Sequence, residues 1–249
     1  MRELSGTIKN PQRHYLLLTF FISLGTAALL FIPFMIYHGG IFYYYGDFNV
    51  QEIIMNSSHF YAMLSRMKYI NRWGLMNNTR SENISEHSHQ TAILAHCLVL
   101  IHNKRFGGSL NAERAALLAV FHDATEIITG DMPTPVKYYD RSISDAYKKI
   151  EDAAADRLVS LLPGDLRSEY EGLIKQSADG DAQLRPFVKA ADRFSALIKC
   201  VDELRMGNDE FRKAKESVEA SIHAMNLPEA EVFFEEFMPS FYLALDEQE

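Results

Sequence analysis

Four groups of side chains in this sequence have types and spacings suited to a metal-assisted hydrolysis: His87, the adjacent pair His122-Asp123, Glu126, and Asp192. Two imidazoles and two carboxylates form a mixed nitrogen and oxygen donor set, which suits one borderline-to-hard divalent cation such as Mn, Co, Fe or Zn. Adjacent residues on a helix point about 100° apart, so His122 and Asp123 converge on one ion only if it lies beside their helix. Neighbouring helices must then bring His87 and Asp192. Glu126 follows His122 by four positions and projects to the same side. There it can handle protons without being a ligand. A single helical histidine is more often structural than ligating, and His89, His96 and His102 are read that way. An adjacent His-Asp pair also arises by chance in many chains. The order gives the set its weight: His at a capped helix start, His-Asp in a second helix, and Asp in a much later one.

The elements that position these residues read as short amphipathic helices with few strand signals. Ser57 or Ser58 caps a helix with Phe60, Met63, Leu64, Met67 and Ile70 on one face. Ser85 precedes a second helix that ends at Gly107-Gly108 with Lys104 and Arg105 in its last turn. Asn111 caps a third, read as continuous through His122-Asp123 to Gly130. Residues 130–139, with Pro133 and Pro135, read as a loop. A helix closed by Pro163-Gly164 comes next, then a shorter one to about Ser177. Pro186 suits the first turn of the Asp192 helix, which ends near Gly207. Two further helices span roughly 209–225 and 229–246. The expected fold is an all-α globule.

Composition agrees with a globular protein: 47% of residues are hydrophobic and 23% charged, which excludes collagen-like and wholly disordered chains. The net charge of −8 argues against a nucleic-acid polymer as partner, though not against a small basic pocket for one phosphate. Cys97 and Cys200 are too few for a disulfide framework and read as core residues of a reducing compartment.

Residues 1–54 differ from the rest. Arg2, Lys9 and Arg13 balance Glu3, Asp47 and Glu52, so residues 55–249 carry the whole charge. The uncharged run Tyr15–Tyr37 is long enough, as a helix, to cross a ~30 Å hydrocarbon layer. Its charge flanks would place the later residues outside the cell. The expectation is that 1–54 is an apolar extension from a mis-assigned start, with Met55 opening the working domain of residues 55–249. The codons of Gln51-Glu52 can spell a purine-rich ribosome-binding element just upstream. The rival is a membrane anchor through residues 15–37.

The ligand order resembles the HD-domain superfamily of metal-dependent phosphohydrolases. The segments NRWGLMNNTRSENISEHS, ERAALLAVFHDATEIITGDMPTPVKYY and KAADRFSALIKC narrow this to a resemblance to the bacterial 5′-deoxynucleotidases of the YfbR type. It runs from Met55 to about Asp246. The resemblance implies an HD-domain helical bundle, a cytoplasmic homodimer, and a phosphatase of deoxynucleoside 5′-monophosphates using one divalent metal cation. It assigns His87, His122, Asp123 and Asp192 to the metal, His87 and Asp192 also lying against the substrate. Glu126 is the proton carrier and Arg72 a planar fork for phosphate. Trp73 shapes the phosphate and sugar pocket. Asp131, Thr134 and Lys137 are sugar or phosphate contacts. Gly74 departs from the pattern, which leads us to expect proline there. Two rivals remain open: another HD phosphohydrolase acting on nucleoside triphosphates, cyclic nucleotides or an alarmone, and a membrane-tethered, non-catalytic nucleotide sensor.

Overall fold

The computed structural model describes residues 57–137 and 139–248, and the backbone of 31–38 and 41–49. The chain divides into two units, Met1–Ser57 and Ser58–Glu249.

In the first unit, β1 (Phe31–His38) pairs antiparallel with β2 (Ile41–Asn49), from Phe31 opposite Asn49 to His38 opposite Ile41. This corrects the helix expected over Tyr15–Tyr37 for its last part, Phe31–Tyr37. The remainder of that run, and the start expected at Met55, lie outside the described residues. The physical reason is composition. Ile32, Ile36, Tyr37, Phe42, Tyr43, Tyr44 and Tyr45 are β-branched or aromatic and favour a pleated ladder. Pro33 has no N–H and breaks a helix interior. In the hairpin the pairing register slips between Pro33 and Met35, where a missing donor is tolerated. Among the described residues no helix is long and apolar enough to cross a membrane.

The second unit is all-helical among its described residues, apart from an isolated bridge between Asn71 and Asn83. Helix α1 (Phe60–Leu64) passes into a 3-10 turn (Ser65–Tyr69). Helix α2 (Ile84–Arg105) is the axis, packed between α3 (Ala112–Phe121) and the long helix that carries Asp192. Its cap is Asn83 rather than Ser85: the Asn83 Oδ1 accepts from the amides of Ser85 and Glu86 at 3.0 and 3.1 Å. Asn111 caps α3 as expected, accepting from the Arg114 amide at 2.7 Å.

The helix expected to run on to Gly130 stops at Phe121. Residues His122–Thr125 form turns, and α4 (Glu126–Thr129) restarts the chain. Here hydrogen bonds run to the third preceding residue: Ala124 N to Phe121 O at 3.1 Å, and Glu126 N to Asp123 O at 3.0 Å. The 130–139 segment is not wholly loop. Helix α5 (Thr134–Lys137) forms where the amides of Val136 and Lys137 both donate to Pro133 O.

Helix α6 (Arg141–Ser160) is capped by Asp140, and α7 (Arg167–Lys175) ends on a left-handed Gln176. The long helix α8 (Arg185–Arg205) has Pro186 in its first turn and Gly207, at φ 84°, just past its end. Helices α9 (Arg212–His223) and α10 (Pro228–Glu236) close the bundle. Pro239 confines the C-terminal residues to 3-10 turns, so the last helix is shorter than expected.

The core lies where α2, α3 and α8 meet, with Ala95, Leu98, Val99, Leu118, Ala119, Leu197 and Ile198 buried there. Phe194 extends it to α10, its ring centroid 4.6 Å from Phe233 and 4.9 Å from Phe234. Cys200 is buried, whereas Cys97 is only partly so. Phe194 is fully enclosed two residues from Asp192, so Phe194→Ala should cost about 3–5 kcal/mol in urea unfolding. A loss below about 1 kcal/mol would show that the core does not rest on this ring.

Candidate active site

The site begins with a question of protons on two histidines. His122 Nδ1 lies 2.7 Å from the Ala119 carbonyl, which can only accept, so that nitrogen carries the hydrogen and, in the neutral ring, Nε2 is bare. His87 is fully buried, and its Nδ1 lies 2.9 Å from Ser195 Oγ. The Ser195 hydroxyl spends its single proton on Gln90 Oε1 at 2.7 Å, so it accepts from His87 Nδ1–H. His87 Nε2 is then bare as well. Both tautomers are set by the partners on the far side of each ring.

The two bare nitrogens face each other at 3.2 Å. Asp123 Oδ2 lies 3.2 Å from His122 Nε2 and 3.5 Å from His87 Nε2. Asp192 Oδ1 lies 3.2 Å from His87 Nε2 and 3.9 Å from His122 Nε2. The four ligand candidates therefore converge. Three of them, His87, His122 and Asp123, place one donor atom each within 4.8 Å of one another. The turn that interrupts the helix after Phe121 makes this possible, because it re-aims two adjacent side chains. Asp192 comes from the second turn of α8, and its other oxygen accepts from Lys189 at 2.7 Å.

Four lone-pair donors aimed at one point repel unless a positive charge lies among them, so the donor set fits a divalent cation. The same field shifts the proton affinities of the ligand candidates. Burial pushes His87 down, helped by Arg72 and opposed by Asp192. Burial also works against charge on His122, but Asp123 outweighs it and raises the group. Burial would lift Asp123, yet His122 and His87 hold it at about 2.

Glu126 stands beside this cluster with a different balance. Burial, then Asp123 and Asp131, push its carboxyl up to about 9 against the pull of Arg72 and Lys137. Its Oε2 is buried with no hydrogen-bond partner among the described residues. An unsatisfied buried oxygen with raised proton affinity is able to take up and release a proton.

Arg72 and Trp73 come from the loop between Asn71 and Asn83, and Glu82, which the sequence reading missed, holds both. Glu82 Oε2 accepts from Arg72 NH1 at 2.8 Å and from the Trp73 indole Nε1 at 3.0 Å. The carboxylates of Glu82, Asp123, Asp192 and Asp131 outweigh burial and keep Arg72 charged. Trp73 adopts φ 61°, a left-handed conformation that is costly for a bulky side chain. Its carbonyl accepts from Met76 N and Asn78 Nδ2, and its ring tilts against Phe211 at 5.3 Å. Gly74 has no positive φ, and nothing lies within 4 Å of where a Cβ would sit, so the space admits a side chain.

Asp131 faces this group. Burial raises its carboxyl, while Arg72 and the Trp73 amide draw it down. Thr134 is exposed at the start of α5. The Lys137 ammonium donates to Glu151 at 2.8 Å and sits 4.8 Å from the Tyr147 ring centroid. Ser195, Gln90 and Lys189 were also missed. A weak signal exists in their spacing, since each lies one helical turn from a ligand on the ligand's own helix.

A family model described as 5′-deoxynucleotidase YfbR-like matches residues 59–241. A 5′-deoxynucleotidase YfbR of Escherichia coli is 51% identical over 193 residues, spanning 78% of this chain and 96% of that protein. Among solved structures, an HD-domain phosphohydrolase from Listeria innocua aligns with a TM-score of 0.65 at 19% identity, over 76% of this chain and 91% of the other. A protein described as a predicted metal-dependent phosphohydrolase from Magnetospirillum magnetotacticum aligns with a TM-score of 0.51 at 27% identity, over 74% and 92%. The first of these fixes the helical bundle as the HD-domain fold. The family match covers most of the helical unit and every residue of the cluster, and this chain belongs to the YfbR-like 5′-deoxynucleotidase family.

Proposed function

We propose that this chain is a metal-dependent phosphatase that hydrolyses deoxynucleoside 5′-monophosphates to deoxynucleosides and phosphate. The observation that carries the reading is the convergence of two bare imidazole nitrogens and two carboxylates beside the Arg72 guanidinium. His87, His122, Asp123 and Asp192 hold one divalent cation of the Mn, Co, Zn or Fe class. Bound there, it supplies charge for phosphoryl oxygens and acidifies water.

The remaining roles belong to the chain's own residues. Arg72, with one nitrogen fixed by Glu82, presents its other donors to the phosphate as a planar fork. Water attacks phosphorus as the bond to the 5′-oxygen breaks. The proton from that water passes to Glu126 and then to the leaving oxygen, so deoxynucleoside and phosphate are the products. Burial and then the Asp123 charge raise Glu126, so drawing off the Asp123 charge would favour the anionic Glu126 that accepts the proton. Asp131 and Thr134 take the sugar side or the phosphate. Lys137 contributes mainly charge, since its ammonium also serves Glu151.

Trp73 forms a wall where a ribose 2′-hydroxyl would lie, favouring deoxyribose. The working unit in this reading is residues 55–249, acting in the cytoplasm as a homodimer. The net charge of −8 supports a mononucleotide rather than a nucleic-acid polymer as substrate.

His122→Ala or Asp123→Ala should abolish both metal retention and phosphate release, because a four-donor site has little redundancy. Full occupancy by elemental analysis with normal turnover would sink the ligand assignment.

Glu126→Ala should retain metal and substrate while turnover falls by roughly two to four powers of ten. If metal is lost instead, Glu126 is a ligand.

Trp73→Ala should narrow the deoxy-over-ribo ratio of kcat/KM by about tenfold, within the roughly hundredfold that an apolar wall can supply against a hydroxyl. An unchanged ratio rejects the wall.

A further inference from the structure

The loop between Asn71 and Asn83 carries Arg72, Trp73 and Glu82, yet most of it belongs to no helix. Glu203, in the last turns of α8, is fully buried beneath it. Its Oε2 accepts from the Thr79 amide at 2.8 Å and from Asn208 Nδ2 at 2.8 Å. Its Oε1 accepts from the Arg80 amide at 3.1 Å and from the Lys199 ammonium. Both oxygens are thus used twice, which is what makes a buried carboxylate tolerable.

The partners reach further into the same loop. Lys199 also donates to the Arg80 carbonyl. Asn208 Nδ2 donates to the Asn77 carbonyl at 2.7 Å, and Glu210 Oε1 accepts from the Asn77 amide at 3.2 Å. The Lys199 ammonium lies 5.5 Å from the Phe211 ring centroid, and Phe211 packs against Trp73. Burial opposes charge on Glu203, but Lys199, Asn208 and the two loop amides hold it well below the usual carboxylate range.

We propose that Glu203 is a positioning residue that hangs the Asn71–Asn83 loop from α8, so that Arg72 and Trp73 are presented to the metal-ligand cluster at a fixed height. Among the described residues, Glu203 itself hydrogen-bonds to no member of that cluster. Its hydrogen bonds go to Thr79 and Arg80 of the loop and to Lys199 and Asn208 beside it, and Glu82, two residues beyond Arg80, holds Arg72 and Trp73. The inference rests on the reading of Arg72 as the phosphate ligand. A purely structural plug at the end of α8 would also occupy this place, but it would change stability without moving substrate affinity.

The test uses Glu203→Gln, which puts an amide where donors already converge. The chain has a single tryptophan, so intrinsic fluorescence reports directly on this loop. The expected result is a red-shifted Trp73 emission, a KM for a deoxynucleoside monophosphate raised about tenfold or more, a smaller change in kcat, and metal content as in the wild type. Wild-type emission and wild-type KM in the folded variant overturn the proposal. A fall in kcat explained by lost metal overturns it as well. Altered emission with an unchanged KM overturns it where Arg72→Ala raises KM. Arg72→Ala run alongside then shows where the fault lies: if its KM is unchanged too, the phosphate role of Arg72 has failed rather than the anchoring. Asn208→Ala removes the hold on Asn77 and one bond to Glu203 without burying an unpaired charge. It should shift emission and KM in the same sense by a few-fold. It decides the matter if Glu203→Gln does not fold, since unchanged emission and KM there overturn the proposal equally.

Discussion

Two imidazole nitrogens stripped of their protons, held 3.2 Å apart and flanked by two carboxylates, are an unfavourable arrangement for a chain to impose on itself. Much of the helical unit can be read as what is needed to impose it. The far nitrogen of each ring must be occupied by an acceptor, which for His122 is the carbonyl of Ala119 at a helix end. His87, inside a helix, needs the Ser195 hydroxyl from a neighbouring one. That hydroxyl must in turn lose its proton elsewhere, and Gln90 takes it. The core packing of α2 against α3 and α8 brings these groups within reach. It is apolar and close-fitting, so small shifts are resisted.

The same cluster sets the electrostatics of its surroundings. Asp123 has its charge stabilised by the imidazoles, and the charge so fixed raises Glu126 across the site. Two carboxyl groups separated by three positions in the chain are therefore pushed in opposite directions, Asp123 down and Glu126 up. The proposed reaction uses that separation, with Asp123 as the permanent anion and Glu126 as the proton carrier. Arg72 is the counterweight: Glu82 holds one of its nitrogens at 2.8 Å, and its charge pulls down Glu126, Asp131 and His87. The left-handed backbone at Trp73 is strain that this arrangement sustains, since the Glu82 and Asn78 side chains and the Phe211 ring hold both ends of the residue.

Much of this was legible in the sequence because it depends on local rules. Helix existence could be read from apolar periodicity, and Asn111, Pro186 and Gly207 marked boundaries by cap chemistry that needs no tertiary context. The break after Phe121 was not legible: AERAALLAVFHDATEIIT has unbroken helical periodicity and no glycine or proline, so only packing around His122 and Asp123 reveals the tighter turn. Ser85 and Asn83 are both good caps, and tertiary closure of the Asn71–Asn83 neck selected the asparagine. Phe31–Tyr37 read as helix because an uncharged run carries no period, and the pairing partner that makes it a strand lies beyond the window in which hydropathy is judged. Glu82, Ser195 and Glu203 escaped for a common reason. One acidic or hydroxyl residue among many becomes significant only when burial and a partner distant in sequence are known.

The order of the donors along the chain has a consequence for how the protein is made. A polypeptide emerging from the ribosome exposes His87, then His122 and Asp123, well before α8 has been synthesised. Such a nascent chain lacks Asp192 and also lacks Ser195, the hydroxyl that turns His87 Nε2 toward the cluster. The early donors are therefore a loose and incompletely oriented trap. Arrival of one helix supplies the missing carboxylate, the orienting hydroxyl and, at its far end, the Glu203 support for the Arg72 loop. The complete donor cluster and the support of the Arg72 loop thus appear together, and late, with the same helix that completes the core.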